Sequence, residues 1–149
     1  MEAGKIRVKA MCLLVHDNRV LVADANTQKG KEGGRKVVPG NFYRVPGGSI
    51  NFDETAEDGV RREIREELQS EIENLERIDV VTYAGEKGHE IVFLFKGQLA
   101  KKELCEKDSI HIDEDEYEFD ARWIPIDELL SRNAPLYPAL DYKNLFQKI

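Results

Sequence analysis

The stretch that decides the fold is Gly47 to Ser70, G-G-S-I-N-F-D-E-T-A-E-D-G-V-R-R-E-I-R-E-E-L-Q-S. Gly47 and Gly48 follow a short apolar and aromatic run, Phe42 to Pro46, and read as a tight turn where backbone approaches a ligand. A helix is predicted to begin near Asp53 to Thr55, with either residue as the N-cap. Ala56, Val60, Ile64 and Leu68 recur at i, i+4 spacing and form one apolar stripe.

With Val60 at zero and 100° per residue, that stripe runs from about −40° to +80°. Glu63, Glu66 and Glu67 fall at about −60°, −120° and −20° on the same wheel. The carboxylates therefore overlap the margin of the buried face. Anions crowded at the edge of a core repel one another and lose hydration. A hard divalent cation with oxygen ligands compensates, and Mg²⁺ or Mn²⁺ suits such a cluster. The simpler alternative is a charged helix in which Arg61, Arg62 and Arg65 make local ion pairs.

The spacing weighs against that alternative. Gly48, Glu54, Arg62, Glu63, Ile64, Glu66 and Glu67 match the pattern G-x5-E-x7-R-E-U-x-E-E-x-G-U, where U is a bulky apolar residue. The stretch closely resembles the Nudix box. Gln69 stands where the family has glycine and Ser70 where it has an apolar residue. Both departures follow the metal-binding part and bear on the helix C-cap and the next strand. Lacking the glycine, the helix is predicted to run on to about Ser70 or to end through another turn.

The resemblance implies an α/β (α+β) fold, the Nudix α/β/α sandwich with a mixed sheet, over residues 1–149 as one domain. It implies metal-dependent hydrolysis of a pyrophosphate bridge in a nucleoside diphosphate linked to another group. It makes Glu63, Glu66 and Glu67 the metal ligands, with the Gly48 carbonyl as a further oxygen. Glu54 and Arg62 brace the loop against the helix. The general base is a box glutamate, Glu63 or Glu66, in some relatives and a later loop residue in others. Here the later candidates are Glu114, Glu116, Glu118 and Asp120, with Glu116 and Glu118 nearest a predicted strand. A catalytically silent sensor of nucleotides is the competing reading.

Outward from the box, Ile6 to Val15 alternates and then becomes continuously apolar, as a strand entering a two-sided core would. Arg19 to Ala25 completes a hairpin with it. Asn26 to Lys36 reads as a loop, either a solvated connector or a flap whose Lys29, Lys31, Arg35 and Lys36 meet phosphates. Ile78 to Ala84 and Glu90 to Leu99 read as strands about a turn at Gly85 to Gly88, with His89 at the tip. Lys101 to Asp120 reads as an acidic loop, Ala121 to Ile126 as a strand, and Glu128 to Arg132 as a short helix capped by Asp127. A last helix is expected near Ala139 to Phe146. Arg44, Tyr43 and Tyr83 are candidate substrate contacts. Phe93 and Trp123 are aromatic enough to stack on a base but are expected in the core.

The 149 residues suffice for a sizeable core, and the formal net charge of −7 argues against general nucleic-acid binding. Cys12 and Cys105 make neither a disulfide framework nor a zinc site, and Cys12 lies in an apolar run. No apolar run suits a signal peptide or a membrane span, so a soluble cytoplasmic protein is expected. A small nucleotide is the expected partner, and a homodimer stays open. The proline or tyrosine that marks some substrate classes beyond the box is missing from Gly85 to Gly88. That tilts the expectation towards nucleoside triphosphates.

Overall fold

Alternation along the first strand builds the architecture. In β1 (Ile6–His16), Ala10, Cys12 and Leu14 face one apolar cluster, while Met11 and Leu13 face another. Successive side chains of a strand point to opposite faces, so an uninterrupted apolar run needs cover on both. Helix α1 (Ala56–Leu68) covers the first face with Val60, Ile64 and Leu68. Helices α2 (Ile126–Ser131) and α3 (Tyr142–Lys148) cover the second through Leu129, Tyr142, Leu145 and Phe146. The computed structural model describes residues 4–34, 36–86, 88–132 and 135–148. Arg35 of the expected flap and Lys87 of the expected turn lie outside the described residues.

Among the described residues, the layers enclose a nine-stranded mixed sheet. Its path runs β5 (Ile72–Gly85), β6 (Gly88–Leu99), β1, β2 (Arg19–Gly30), β3 (Tyr43–Arg44) and β9 (Leu136–Tyr137). The β1–β6 and β3–β9 pairs are parallel. Strand β4 (Gly47–Ser49) pairs antiparallel with β1, and β8 (Tyr117–Pro125) pairs with both β2 and β7 (Ser109–Asp113). This is the α+β sandwich that the box implies.

Several local expectations are corrected. Gly47 and Gly48 form a strand and no tight turn: they face Met11 and Ala10 across the ladder. Gly47 has φ of 139°, and a Cβ there would fall on the Ala10 carbonyl and within 2.6 Å of Met11 Cα. The 26–36 segment is strand as far as Gly30, because Lys29 and Gly30 resume pairing with β8 after an irregularity beyond Asp24. The acidic 101–120 segment is largely ordered. It contains a 3-10 turn over Lys102–Glu106, then the β7–β8 hairpin, whose inward residues Ile110, Ile112 and Phe119 are buried. Pro125, and not Asp127, precedes the first residue of α2. Strands β5 and β6 begin earlier than their apolar cores suggest, and α3 begins later, at Tyr142.

The start of α1 follows its capping residue, because Thr55 Oγ1 accepts from Asp58 N at 3.1 Å. Its end departs from expectation. Gln69 adopts the left-handed conformation, φ 54° and ψ 40°, and its N–H donates to the Arg65 carbonyl at 2.9 Å. A glycine-type stop is thus made without glycine. Ser70, at the family's apolar position, is buried but satisfied. Its hydroxyl donates to the Glu71 carbonyl at 2.9 Å and accepts from Lys101 N at 3.0 Å.

Candidate functional site

A cleft of about 550 Å³ opens where β4 leaves β1 and passes α1. One end is acidic. Glu63, Glu66 and Glu67 reach it from α1, and Glu114, Asp115 and Glu116 reach it from the tip of the β7–β8 hairpin. Arg7, Lys9, Arg44 and Tyr137 add cations and a phenol to the same cleft.

Backbone geometry sets the acidic floor. A Cβ on Gly48 would lie 2.8 Å from Glu63 Cδ, so only a bare backbone lets that carboxyl seat there. Burial raises the Glu63 carboxyl above the ordinary glutamate range, with the Arg62 guanidinium as a partial offset. Burial raises Glu67 well above it, and the nearby Glu63 and Glu114 charges add to the effect while Arg44 opposes it. Both residues are half-buried, whereas Glu66 is exposed.

Arg62 organises this floor. Its Nε and Nη2 donate to the two Glu54 carboxylate oxygens at 2.8 and 3.1 Å. Its Nη1 donates to Glu63 at 3.1 Å and to Glu66 at 3.3 Å, and Nη2 also donates to the Ser49 carbonyl at 3.0 Å. Glu54 accepts further from Asn51 N at 2.9 Å. One guanidinium thus ties the loop, the β4 strand and two helix carboxylates together.

Among the described residues, no three His, Cys, Asp or Glu side chains converge closely enough to hold an ion as they stand. The donor chemistry nevertheless fits a hard cation. All donors are oxygens, and Glu63 and Glu67 are desolvated carboxyls in hydrogen-bond contact whose like charges oppose joint ionisation. A divalent charge is what such a pair lacks.

The other expected residues divide. Arg44 lines the cleft, its guanidinium 5.3 Å from the Phe119 ring centre. Tyr43, its neighbour in β3, points into the opposite core, where its hydroxyl accepts from Arg132. Tyr83 donates to the Ala139 carbonyl at 2.7 Å and stacks on Tyr137, behind the residues that line the cleft. Glu116 lines the cleft, but Glu118 turns to Lys29 at 3.5 Å and His111 at 3.2 Å. Lys31 is held by Asp113, and its N–H donates to the Glu116 carbonyl at 3.1 Å. Trp123 is core, its indole N–H donating to the Leu104 carbonyl at 3.0 Å, and Phe93 packs against the same cluster. Sequence reasoning missed Arg7, Lys9 and Tyr137. The alternation of Arg7, Lys9 and Met11 on one face of β1 was the signal for the first two.

The fold and the box geometry agree with what the chain resembles. A family model for the NUDIX domain matches residues 5–144. The chain belongs to this family. Members generally use divalent metals, and membership supports pyrophosphate hydrolysis as the general chemistry. The chain is similar in structure to the MutT NUDIX hydrolase from Burkholderia pseudomallei. The TM-score is 0.66 at 20% identity, covering 90% of this chain and 92% of that one. It is also similar to a NUDIX hydrolase from Nitrosomonas europaea, with TM-score 0.65 at 17% identity, covering 97% and 88%. The E. coli ORF135 protein follows with TM-score 0.58 at 18% identity, covering 91% and 83%. No curated protein is significantly similar to the chain in sequence. Among the described residues, no helix is long and apolar enough to cross a membrane.

Proposed function

We infer that the protein hydrolyses the pyrophosphate bridge of a nucleoside diphosphate linked to another group, in a small nucleotide such as a nucleoside triphosphate. The observation that carries this reading is the pairing of Glu63 with Gly48. A desolvated carboxyl is seated against bare backbone at the floor of a cleft whose wall carries cations.

Glu63, Glu66 and Glu67 would hold Mg²⁺ or Mn²⁺, with the Gly48 carbonyl as a further oxygen. When bound, the ion offsets the phosphate charge and lowers the pKa of the attacking water. Arg62 holds Glu63 and Glu66 in place while Glu54 fixes Arg62. Arg44 supplies a cation at the cleft for the bridge oxygens. The base is a carboxylate that takes a proton from water, and reach decides among candidates before pKa does. Glu63, Glu66 and Glu116 line the cleft, as does Glu114, whereas Glu118 is engaged with Lys29 and His111.

A panel of nucleoside triphosphates, ADP-ribose, dinucleoside polyphosphates, nucleotide sugars and capped RNA, each with Mg²⁺ and with Mn²⁺, tests the reading. Turnover of one class that stops on chelation supports it. Tight binding without turnover across the panel favours the silent sensor instead.

A further inference from the structure

The cleft draws on both faces of the sheet. Ala23, Tyr117 and Phe119 belong to the core under α1, whereas Met11, Val45 and Tyr137 belong to the opposite core. A ligand filling it therefore extends from the Glu63 floor, past the edge of β4, to a second polar group. That group is Lys9, Glu90 and Tyr137. Lys9 Nζ lies 2.9 Å from Glu90 Oε2 and donates to the Tyr137 hydroxyl at 3.2 Å, and Tyr137 in turn donates to Glu90 Oε1.

The arrangement is built to hold an ammonium in place. Glu90 is a buried charge on β6, and a carboxylate is expensive there without partners. Burial alone would push its carboxyl up, but the hydrogen bonds from Tyr137 and Lys9 outweigh it and hold it below the ordinary value. Lys9 has three N–H donors, and these contacts use two. Among the described residues the third meets no acceptor, which leaves it for a ligand, and Lys9 lines the cleft beside Arg7. Arg7 and Lys9 both act on the Glu90 carboxylate, so this end of the cleft carries two cations to one anion in a protein of net charge −7.

We propose that Lys9, held by Glu90 and Tyr137 and assisted by Arg7, binds a phosphate of the substrate beyond the hydrolysed bridge. This selects nucleotides with three or more phosphates over those capped by a neutral sugar. The proposal rests on reading the cleft as a pyrophosphate site. Tyr137 and Glu90 are positioning residues here, and Lys9 is the contact.

Calorimetric binding of inorganic tripolyphosphate and pyrophosphate in Mg²⁺ tests this without turnover. The wild-type protein is expected to bind tripolyphosphate about tenfold more tightly, the scale of one charge-assisted hydrogen bond. Lys9→Met removes that preference. Tyr137→Phe keeps the ring, frees Lys9 from one anchor and reduces the preference about threefold, on the scale of a neutral hydrogen bond. No preference in the wild type, or a full preference in Lys9→Met, overturns the proposal. Should Lys9→Met fail to fold, an undiminished preference in Tyr137→Phe overturns it alone. A preference that survives without hydrolysis of any nucleotide sinks the hydrolase reading and leaves the phosphate site standing.

Discussion

Arg62 grips both oxygens of Glu54 through two hydrogen bonds, 2.8 and 3.1 Å long, and its third nitrogen reaches Glu63 and Glu66. A lysine cannot reproduce this, since one ammonium lacks the planar fork. Arg62→Lys is expected to leave the fold intact and to loosen two carboxylates at once. Misplacement of about 1 Å can cost about a hundredfold in rate, and a loss of that order in kcat is expected. Steady-state kinetics on the substrate found in the panel screen provide the check. A variant with wild-type kcat would show that Arg62 only decorates the helix.

Glu67→Gln separates folding from chemistry at the same floor. It removes a charge from a site where burial and the Glu63 and Glu114 charges already oppose ionisation. Metal-free stability is expected to hold or rise, while turnover falls by orders of magnitude. Thermal melts in chelator and kcat at saturating Mg²⁺ read the two effects. Near wild-type turnover would exclude Glu67 as an essential ligand.

The adjacent glycines make opposite predictions. An alanine methyl at Gly48 meets the end of the Glu63 side chain, which can swing away at small cost. Gly48→Ala should therefore fold and melt nearly as the wild type while losing activity. At Gly47 the methyl meets the backbone of β1, and φ of 139° disfavours any side chain. Gly47→Ala should lose about 1–3 kcal/mol from the backbone conformation alone, with the collision adding to that. Denaturant melts of both variants, set beside their activities, test the contrast. Equal destabilisation would refute it.

What the sequence shows clearly is what lies close together along it. The box helix and its cap, the two-sided β1 and the Arg62 brace all come from one short window or one strand. What it hides is brought together by pairing over long separations. Lys9 and Tyr137 meet at the cleft although 128 positions separate them. Tyr43 and Arg44 are neighbours, but β3 sends them to opposite faces, and nothing in two residues of strand announces which faces the cleft. The acidic 101–120 segment reads as a loop because charge masks the short alternation Ile110, Ile112, whose partner strand lies beyond the turn.

The hairpin that carries Glu114 and Glu116 to the cleft should respond to pH through His111. Its Nδ1 lies 2.7 Å from Asp120 and its Nε2 3.2 Å from Glu118, so protonation completes a bridge within the acidic cluster. The hydrogen bond to Asp120 and the Asp120, Glu118 and Asp113 charges raise its pKa above the ordinary histidine value of about 6.5. Between the unfolded and folded values the native state binds more protons, so stability falls as pH rises. The contribution is full below about 6.5 and lost above the folded value. Amide exchange at Asp113 to Tyr117 should quicken across that window, and His111→Gln should abolish the change. A folded His111 titrating below 6.5 would refute the clamp.

Gln69 carries backbone strain at the C-terminus of α1. A left-handed residue with a Cβ costs about 1–2 kcal/mol, a cost that glycine avoids. Gln69 is exposed, and its observed role at the cap is made by its backbone N–H, which any residue but proline supplies. Gln69→Gly therefore keeps the hydrogen bond to Arg65 and removes the strain. It also gives the unfolded chain more freedom, which offsets part of the gain. The net expectation is a stabilisation of about 0.5–1 kcal/mol with catalysis unaltered, since Glu67 precedes the cap and stays helical. Chemical denaturation gives the sign directly. A destabilised Gln69→Gly would mean that the glutamine side chain holds the helix end through contacts worth more than the backbone strain it carries.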